Sequence, residues 1–272
     1  MFQILNDRRL RVIFFVGLLV STFFTIRGLE HRLVFAPSSE WARDLPASAT
    51  ELIFTSPEKW RQPYSKTLNL SAAWFPVEDA DRVIVYCHGN AGNISHRFAV
   101  AEFFQSLGWP VLLFDYRGYG KSEGTPDRGI QTDTLQAIFE AQSLAGTDNV
   151  ILYGRSLGAF PAIQCAEWAS ALILDSPFLS LEEMAKSRGF GWVPSWLKKY
   201  HFKNEGFIES VKCPTLILHG SADQIVPFQH GKRLAELNPE VTEFFEIPGG
   251  RHNDSRRKGI ALEALKTFIN EH

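Results

Sequence analysis

Cysteine is scarce in this chain. Only Cys87, Cys165 and Cys213 occur in 272 residues, an odd and scattered set. That excludes a disulfide framework and reads as buried free thiols. CxxC pairs are absent and the eight histidines are dispersed, so no zinc-type spacing exists. No metal and no cofactor are expected. An excess of one charge is missing too: 28 Lys and Arg stand against 30 Asp and Glu, a net charge of −2. Without a basic face the chain is not expected to bind nucleic acid. The local clusters Lys198-Lys199 and Arg256-Arg257-Lys258 read as solvated helix faces. Hydrophobic residues at 45% and charged residues at 21% are the balance of a globular protein with a sizeable core.

Long apolar runs are lacking except at the N-terminus. There Arg8, Arg9 and Arg11 precede an uncharged run from Val12 to Ile26. As a helix this run spans only about 22 Å, short for a bilayer core of about 30 Å. Arg11 and Arg27 can snorkel and lengthen it. No small-x-small cleavage site follows. Residues 1–28 are therefore expected to form a retained single-pass anchor in the lipid bilayer, with a cleaved signal or a soluble core helix as alternatives. The slight excess of arginine before the run favours a non-cytoplasmic domain.

Residues 29–49 read as a connecting segment, and 50–272 as the main domain. "ELIFTS" (51–56) and "TLNLSAAWFPV" (67–77) read as two early strands, expected to be an antiparallel edge pair. "RVIVYC" (82–87), "PVLLFDY" (110–116), "NVILYG" (149–154), "ALILD" (171–175), "PTLILHG" (214–220) and "VTEFFEI" (241–247) are further strands. Helical patterns fall near 94–107, 127–145, 156–169, 227–237 and 255–270. The alternation predicts an α/β fold with a mostly parallel central sheet and helices on both faces. In such sheets, ligand sites lie beyond the carboxyl ends of the strands.

Ser156 sits in such a place, in Gly-Arg-Ser-Leu-Gly directly after a strand. A GxSxG turn pushes its serine outward above a helix N-terminus, though an N-cap serine after a Gly-rich turn would read the same way. A nucleophile of this kind needs an acid and then a histidine further along the chain. His252, in "PGGRHND" between the last strand and the last helix, is the best-placed base. Asp223, in the loop "HGSADQIVP", is favoured as the orienting acid. Asp175 at the end of "ALILD" competes, or else is a structural carboxylate that hydrogen-bonds loop amides. "CHGNAGN" follows an early central strand, so the backbone amides of Asn90 and Leu157 are the expected oxyanion donors. The Gly-Lys-Ser of "RGYGKSEG" does not make a phosphate loop, because Asp115 stands where that loop needs a glycine.

Taken in order, HGN (88–90), "DYRGYGKSEG" (115–124), GRSLG (154–158), "HGSADQIVP" (219–227) and "GGRHND" (249–254) resemble the α/β-hydrolase superfamily over residues 50–270. More narrowly, HGNAGN and "RLVFAPS" (32–38) after one N-terminal helix look like its membrane-anchored branch, which is similar to serine aminopeptidase-like hydrolases and protein depalmitoylases. The resemblance implies a Ser156–Asp223–His252 triad with Asn90 and Leu157 at the oxyanion. The chain departs from many relatives at Ala159 and Phe160, where they carry a second glycine. An insert over about 177–212 breaks the strand–helix rhythm and concentrates aromatics, among them Phe178, Phe190, Trp192 and Trp196. As a cap it would wall an apolar pocket above Ser156, although aromatics that merely pack the cap would look the same. The expected activity is a serine hydrolase acting on a small-molecule or acyl-chain ester or thioester. A peptide with a free N-terminus is the second substrate, and a catalytically silent binding protein on the same fold is the third reading.

Overall fold

The computed structural model describes residues 8–59, 65–255 and 259–272. The expected anchor's first seven residues and the Arg256-Arg257-Lys258 cluster lie outside the described residues. Ten strands are described: β1 (Ala36–Pro37), β2 (Thr50–Pro57), β3 (Thr67–Phe75), β4 (Val83–Cys87), β5 (Ala91–Gly92), β6 (Val111–Phe114), β7 (Val150–Arg155), β8 (Ala171–Asp175), β9 (Thr215–Gly220) and β10 (Thr242–Ile247). The α-helices are α1 (Arg8–Val34), α2 (Phe98–Ser106), α3 (Ile130–Ala145), α4 (Ala159–Gln164), α5 (Leu181–Ser187), α6 (Glu205–Ile208), α7 (Phe228–Leu237) and α8 (Gly259–Glu271).

Eight strands form one sheet in the order β10-β9-β8-β7-β4-β6-β3-β2. The run from β10 to β6 is parallel, while β3 pairs antiparallel with both β6 and β2. The expected antiparallel edge is thus present. Central strands such as β4, β7 and β8 are buried along their whole length, which is why they read as continuous apolar runs. Their residues still alternate between faces. Val83, Val85 and Cys87 face the core covered by α3, α4 and α7, whereas Ile84 and Tyr86 face the core covered by α2 and α8. The helix expected over 156–169 is shorter than its pattern: α4 ends at Gln164, because the chain must return to the sheet, where the Ser170 N–H bonds the Val150 carbonyl.

The insert holds α5, a 3-10 turn at Ser195–Leu197, and α6. Ser180 caps α5 by accepting from the Glu183 N–H at 3.2 Å. The expectation of a membrane-spanning anchor needs correction. Among the described residues no helix is long and apolar enough to cross a membrane. The apolar run is too short, and the helix that contains it carries on through Arg27, Glu30, His31 and Arg32 to reach the domain. There the Glu30 carboxylate accepts from the backbone N–H groups of Lys199 (2.6 Å) and Tyr200 (3.0 Å).

The turn between β7 and α4 depends on a close approach. A Cβ on Gly158 would lie 2.0 Å from the Cys87 carbonyl oxygen, a backbone atom with nowhere to go. Gly158→Ala is therefore expected to destabilise the fold by about 1–3 kcal/mol through overpacking, read as a lower midpoint in urea unfolding. An unchanged midpoint would mean that β4 and the turn separate freely.

Candidate active site

Every sequence-expected site element falls at the carboxyl end of the parallel strands. Ser156 follows β7, Asn90 follows β4, Asp223 follows β9 and His252 follows β10. Ser156 has φ +50°, a left-handed value uncommon for a residue with a side chain. Such strain persists only where the surroundings over-determine it. Here the β7 strand ends at Arg155, and a 3-10 turn over Ser156–Gly158 leads straight into α4. Ser156 is half-buried, and Leu157 after it is buried.

Asp223 and His252 are brought together from loops 29 residues apart in sequence, with His252 Nδ1 2.8 Å from Asp223 Oδ2. A carboxylate only accepts, so Nδ1 carries the proton of this hydrogen bond. The two loops are stitched by backbone. The Ala222 N–H donates to the Gly250 carbonyl at 2.9 Å, and the Gly249 N–H to Ser221 Oγ at 2.9 Å. Gly220 permits this approach, since a Cβ there would stand 2.2 Å from the Gly250 oxygen. The other oxygen of Asp223 accepts from the N–H groups of Ile225 (2.8 Å) and Val226 (2.9 Å). Burial alone would raise the Asp223 pKa, but hydrogen bonds from His219 and His252, with the charge of His252 and the Val226 amide, hold it well below the usual carboxylate range. Asp223 is thus ionised at neutral pH, and its contribution to stability is present above about pH 3.9, the unfolded value, and lost as pH falls through the lower folded value. Among the described residues no hydrogen bond joins Ser156 to His252; apo structures often leave this contact open until substrate closes it.

On the opposite side, the loop after β4 presents the Asn90 amide. His88 is fully buried, and burial pushes it down to about 3, so its ring is neutral. Its Nδ1 lies 2.7 Å from the Gly89 carbonyl and donates to it. That carbonyl belongs to the same peptide unit as the Asn90 N–H, so His88 fixes the plane of an expected oxyanion donor. Behind the ring, burial raises Asp115 to about 8; its Oδ1 stands 3.6 Å from His88 Nε2 and accepts from the Ile94 N–H at 2.9 Å.

Sequence reasoning missed the layer behind the histidine loop. Asp175 does not meet His252. Its Oδ2 accepts from Tyr153 Oη at 3.0 Å and Ser255 Oγ at 2.7 Å, and Arg155 Nε lies 3.5 Å away. Arg155 in turn donates from Nη2 to the His252 carbonyl at 3.0 Å and to Asn253. One buried carboxylate and one buried guanidinium therefore tie the residue before the nucleophile to the loop of the base. A signal existed: a charge between strand and turn demands a partner, and Arg155 and Asp175 are register partners across β7 and β8. His219, near the end of β9, lies behind the acid. Its Nε2 donates to the Val226 carbonyl at 3.0 Å and stands 3.4 Å from Asp223 Oδ2, backing the acid.

The expected pocket aromatics divide. Phe178 is buried at the base of the cap. Phe190, Trp192 and Trp196 are 54%, 76% and 70% exposed. The aromatics packed closest behind the nucleophile turn are others: Phe202 of the insert stacks on Phe160 of α4 with ring centroids 4.0 Å apart.

A mostly parallel sheet whose strand ends carry a strained serine turn and an Asp–His loop pair defines the α/β-hydrolase fold. The comparisons agree. The family model for the alpha/beta hydrolase fold matches residues 82–192. The uncharacterized protein MT2364 of Mycobacterium tuberculosis is 32% identical over 97% of this chain and 96% of its own length. Lysophosphatidylserine lipase ABHD12 of Danio rerio is 34% identical over 65% of this chain, a match that spans 52% of that relative. Among solved structures, the Pyrococcus furiosus esterase Pf2001 aligns with a TM-score of 0.68 at 20% identity, covering 88% of this chain and 96% of its own. The chain has the α/β-hydrolase fold.

Removing Arg155 leaves Asp175 as a buried carboxylate without its cation. Arg155→Met is expected to cost about 3–5 kcal/mol, and adding Asp175→Asn should recover part of that loss. Chemical denaturation of the single and double variants measures it; strictly additive losses would mean that the two side chains do not interact.

Proposed function

We propose that the protein is a serine hydrolase that cleaves a carboxylic ester or thioester of an apolar acyl group through an acyl-enzyme. The observation that carries this reading is the 2.8 Å Asp223–His252 hydrogen bond, set beside a serine turn strained to φ +50°. In this mechanism Ser156 Oγ attacks the carbonyl carbon while His252 Nε2 takes its proton. Asp223 holds the Nδ1–H tautomer and stabilises the imidazolium. The amides of Asn90 and Leu157 receive the charge that develops on the carbonyl oxygen. His252 then returns the proton to the leaving alcohol or thiol, and water, deprotonated by the same ring, releases the acid and restores Ser156.

The substrate reading rests on the apolar surroundings. Phe178, Phe160 and Phe202 lie in the core beneath the insert, and the exposed Phe190, Trp192 and Trp196 extend apolar surface outward. The Danio rerio relative, a lysophosphatidylserine lipase by name, adds a single-chain lipid ester as the substrate class to try first. Helix α1 supports the same direction. Val12, Phe14, Phe15, Val16, Leu18, Val20 and Phe24 are all exposed, on every side of the helix. Water is a poor neighbour for such a helix, and a protein groove would cover only one side of it. Partial insertion into a lipid surface covers them all, and the cap's Trp192 and Trp196 suit the interfacial zone of that surface.

Against a panel of acyl esters, acyl thioesters and aminoacyl amides, Ser156→Ala and His252→Ala should each lower kcat by roughly 10⁴–10⁶, and Asp223→Asn by about 10⁴. A serine-directed fluorophosphonate should label the parent protein and not Ser156→Ala. Equal labelling of both would remove Ser156 from the mechanism. Turnover of aminoacyl amides in preference to esters would move the substrate to peptides.

The lipid-surface reading has its own test. Replacing both Trp192 and Trp196 with Ala should slow hydrolysis of long-chain esters in vesicles about tenfold or more while leaving a short soluble ester within about twofold, since only the former loses the interfacial contact. Equal losses on both substrates would reduce the tryptophans to packing.

A further inference from the structure

We propose that the segment Glu30–Ser38 is a positioning element of the active site: a strap that clamps the oxyanion loop on one side and the cap on the other. The proposal rests on the hydrolase reading above, in which the Asn90 amide is an oxyanion donor.

The loop after β4 is held locally by Tyr116 Oη on the His88 carbonyl at 3.2 Å and by Arg97 on the Ala91 carbonyl at 2.9 Å. Its backbone is fastened also by the chain that leaves α1. The Ala36 N–H donates to the Asn90 carbonyl at 3.0 Å, and the Ser38 N–H to the Gly92 carbonyl at 3.1 Å. These bonds make the short parallel pair β1–β5, with Ala36 opposite Ala91 and Pro37 opposite Gly92. The Asn90 side chain reaches back to the Leu33 carbonyl at 3.4 Å. Tyr119 adds a second clamp, its hydroxyl donating to the Asn90 carbonyl at 2.9 Å from a fully buried ring. Asn90 is therefore gripped at its carbonyl by the strap and by Tyr119, while the preceding carbonyl is gripped by His88. Among the described residues its N–H donates to nothing. Both peptide planes that flank this N–H are fixed, and the strap supplies one of the fixings.

The other side of the strap meets the cap. Besides the Glu30 bonds to the Lys199 and Tyr200 amides, His31 Nδ1 lies 2.9 Å from Tyr200 Oη. Phe35 is buried in edge contact with Tyr200 (5.2 Å) and Phe202 (6.0 Å), and Phe202 stacks on Phe160 in α4. One side chain, Phe35, thus packs the strap on the cap and, through Phe202, reaches the helix that follows the nucleophile turn. The peptide after it, the one with the Ala36 N–H, grips the oxyanion loop. A strap built only to tether α1 needs neither contact.

The test uses full-length protein with Phe35→Ala, Phe35→Leu and Tyr119→Phe, a short soluble 4-nitrophenyl ester, fluorophosphonate titration of competent sites, and hydrogen exchange over residues 88–93. Loss of one oxyanion donor costs about 10²–10³ in kcat. Loosening its support is expected to cost part of that: about 10- to 100-fold for Phe35→Ala and about tenfold for Tyr119→Phe. KM should stay within about threefold, because ground-state binding is not the target. Phe35→Leu should restore most of the rate. Exchange should quicken at 88–93 without quickening in β7 or β8, and the titratable serine should remain stoichiometric. Unchanged kcat and unchanged exchange at 88–93 overturn the proposal. So does a rate loss matched by a loss of titratable sites, which means general unfolding. Should the parent protein hydrolyse no ester and take no label at Ser156, the hydrolase reading falls, and exchange alone then decides: local loosening at 88–93 upholds the clamp, and its absence removes it.

Discussion

The nucleophile turn and the first central strand touch at the backbone, and much else follows from that contact. Gly158 lies where a side chain would strike the Cys87 carbonyl. This closeness lets the 3-10 turn over Ser156–Gly158 lead from β7 into α4, with Ser156 at φ +50°. It also sets the loop after β4 beside the turn: a Cβ on Gly89 would lie 3.7 Å from Ser156 Cβ. A strained serine is tolerable only on a rigid base. Buried β4, β7 and β8, paired in parallel, are that base.

Around the turn the protein uses buried polar groups to aim others rather than to react. Asp175 and Arg155 hold the carbonyl side of the His252 loop, and His219 backs Asp223. His88, kept neutral by burial, holds the peptide plane before Asn90. Each would be costly unpaired in the interior. Asp175 and Arg155 meet partners brought by other strands and loops, whereas His88 and His219 bond within the loops that follow their own strands. The cap contributes through Phe202 against Phe160, and the N-terminal segment through Phe35. What looked like a connector is part of the support.

The helix before that segment sets the other constraint. Its apolar residues are exposed on all sides, yet it is not long and apolar enough to cross a membrane. Its last turns carry Glu30 and His31, which bond the cap. An apolar N-terminal half and a domain-bound C-terminal half give this helix two masters, and the strap lies where they meet.

Much of this was legible along the chain. Buried parallel strands must be apolar on both faces, so "VIVYC", "VILYGR" and "ALILD" announce themselves within a residue or two of their ends. Site residues in such a sheet must follow strand ends, and that rule, with the GxSxG turn and the order of acid and histidine after it, pointed to Ser156, Asp223, His252 and the Asn90 loop. The choice between Asp223 and Asp175 was already inclined by loop context, but only the fold brings Asp223 to 2.8 Å from His252 and turns Asp175 towards Arg155. Pairing across strands depends on sheet order and register, which local periodicity does not carry. For the same reason the sequence could not say that residues 30–38 would dock beside residues 90–92: two residues of strand, Ala36 and Pro37, make too short a pattern to read. Hydropathy along the N-terminal run spoke of lipid. Length and the charged turns that follow it, set against a folded cap, decided that the helix ends on the domain, because the hydrogen bonds that capture Glu30 come from residues 169 and 170 positions away.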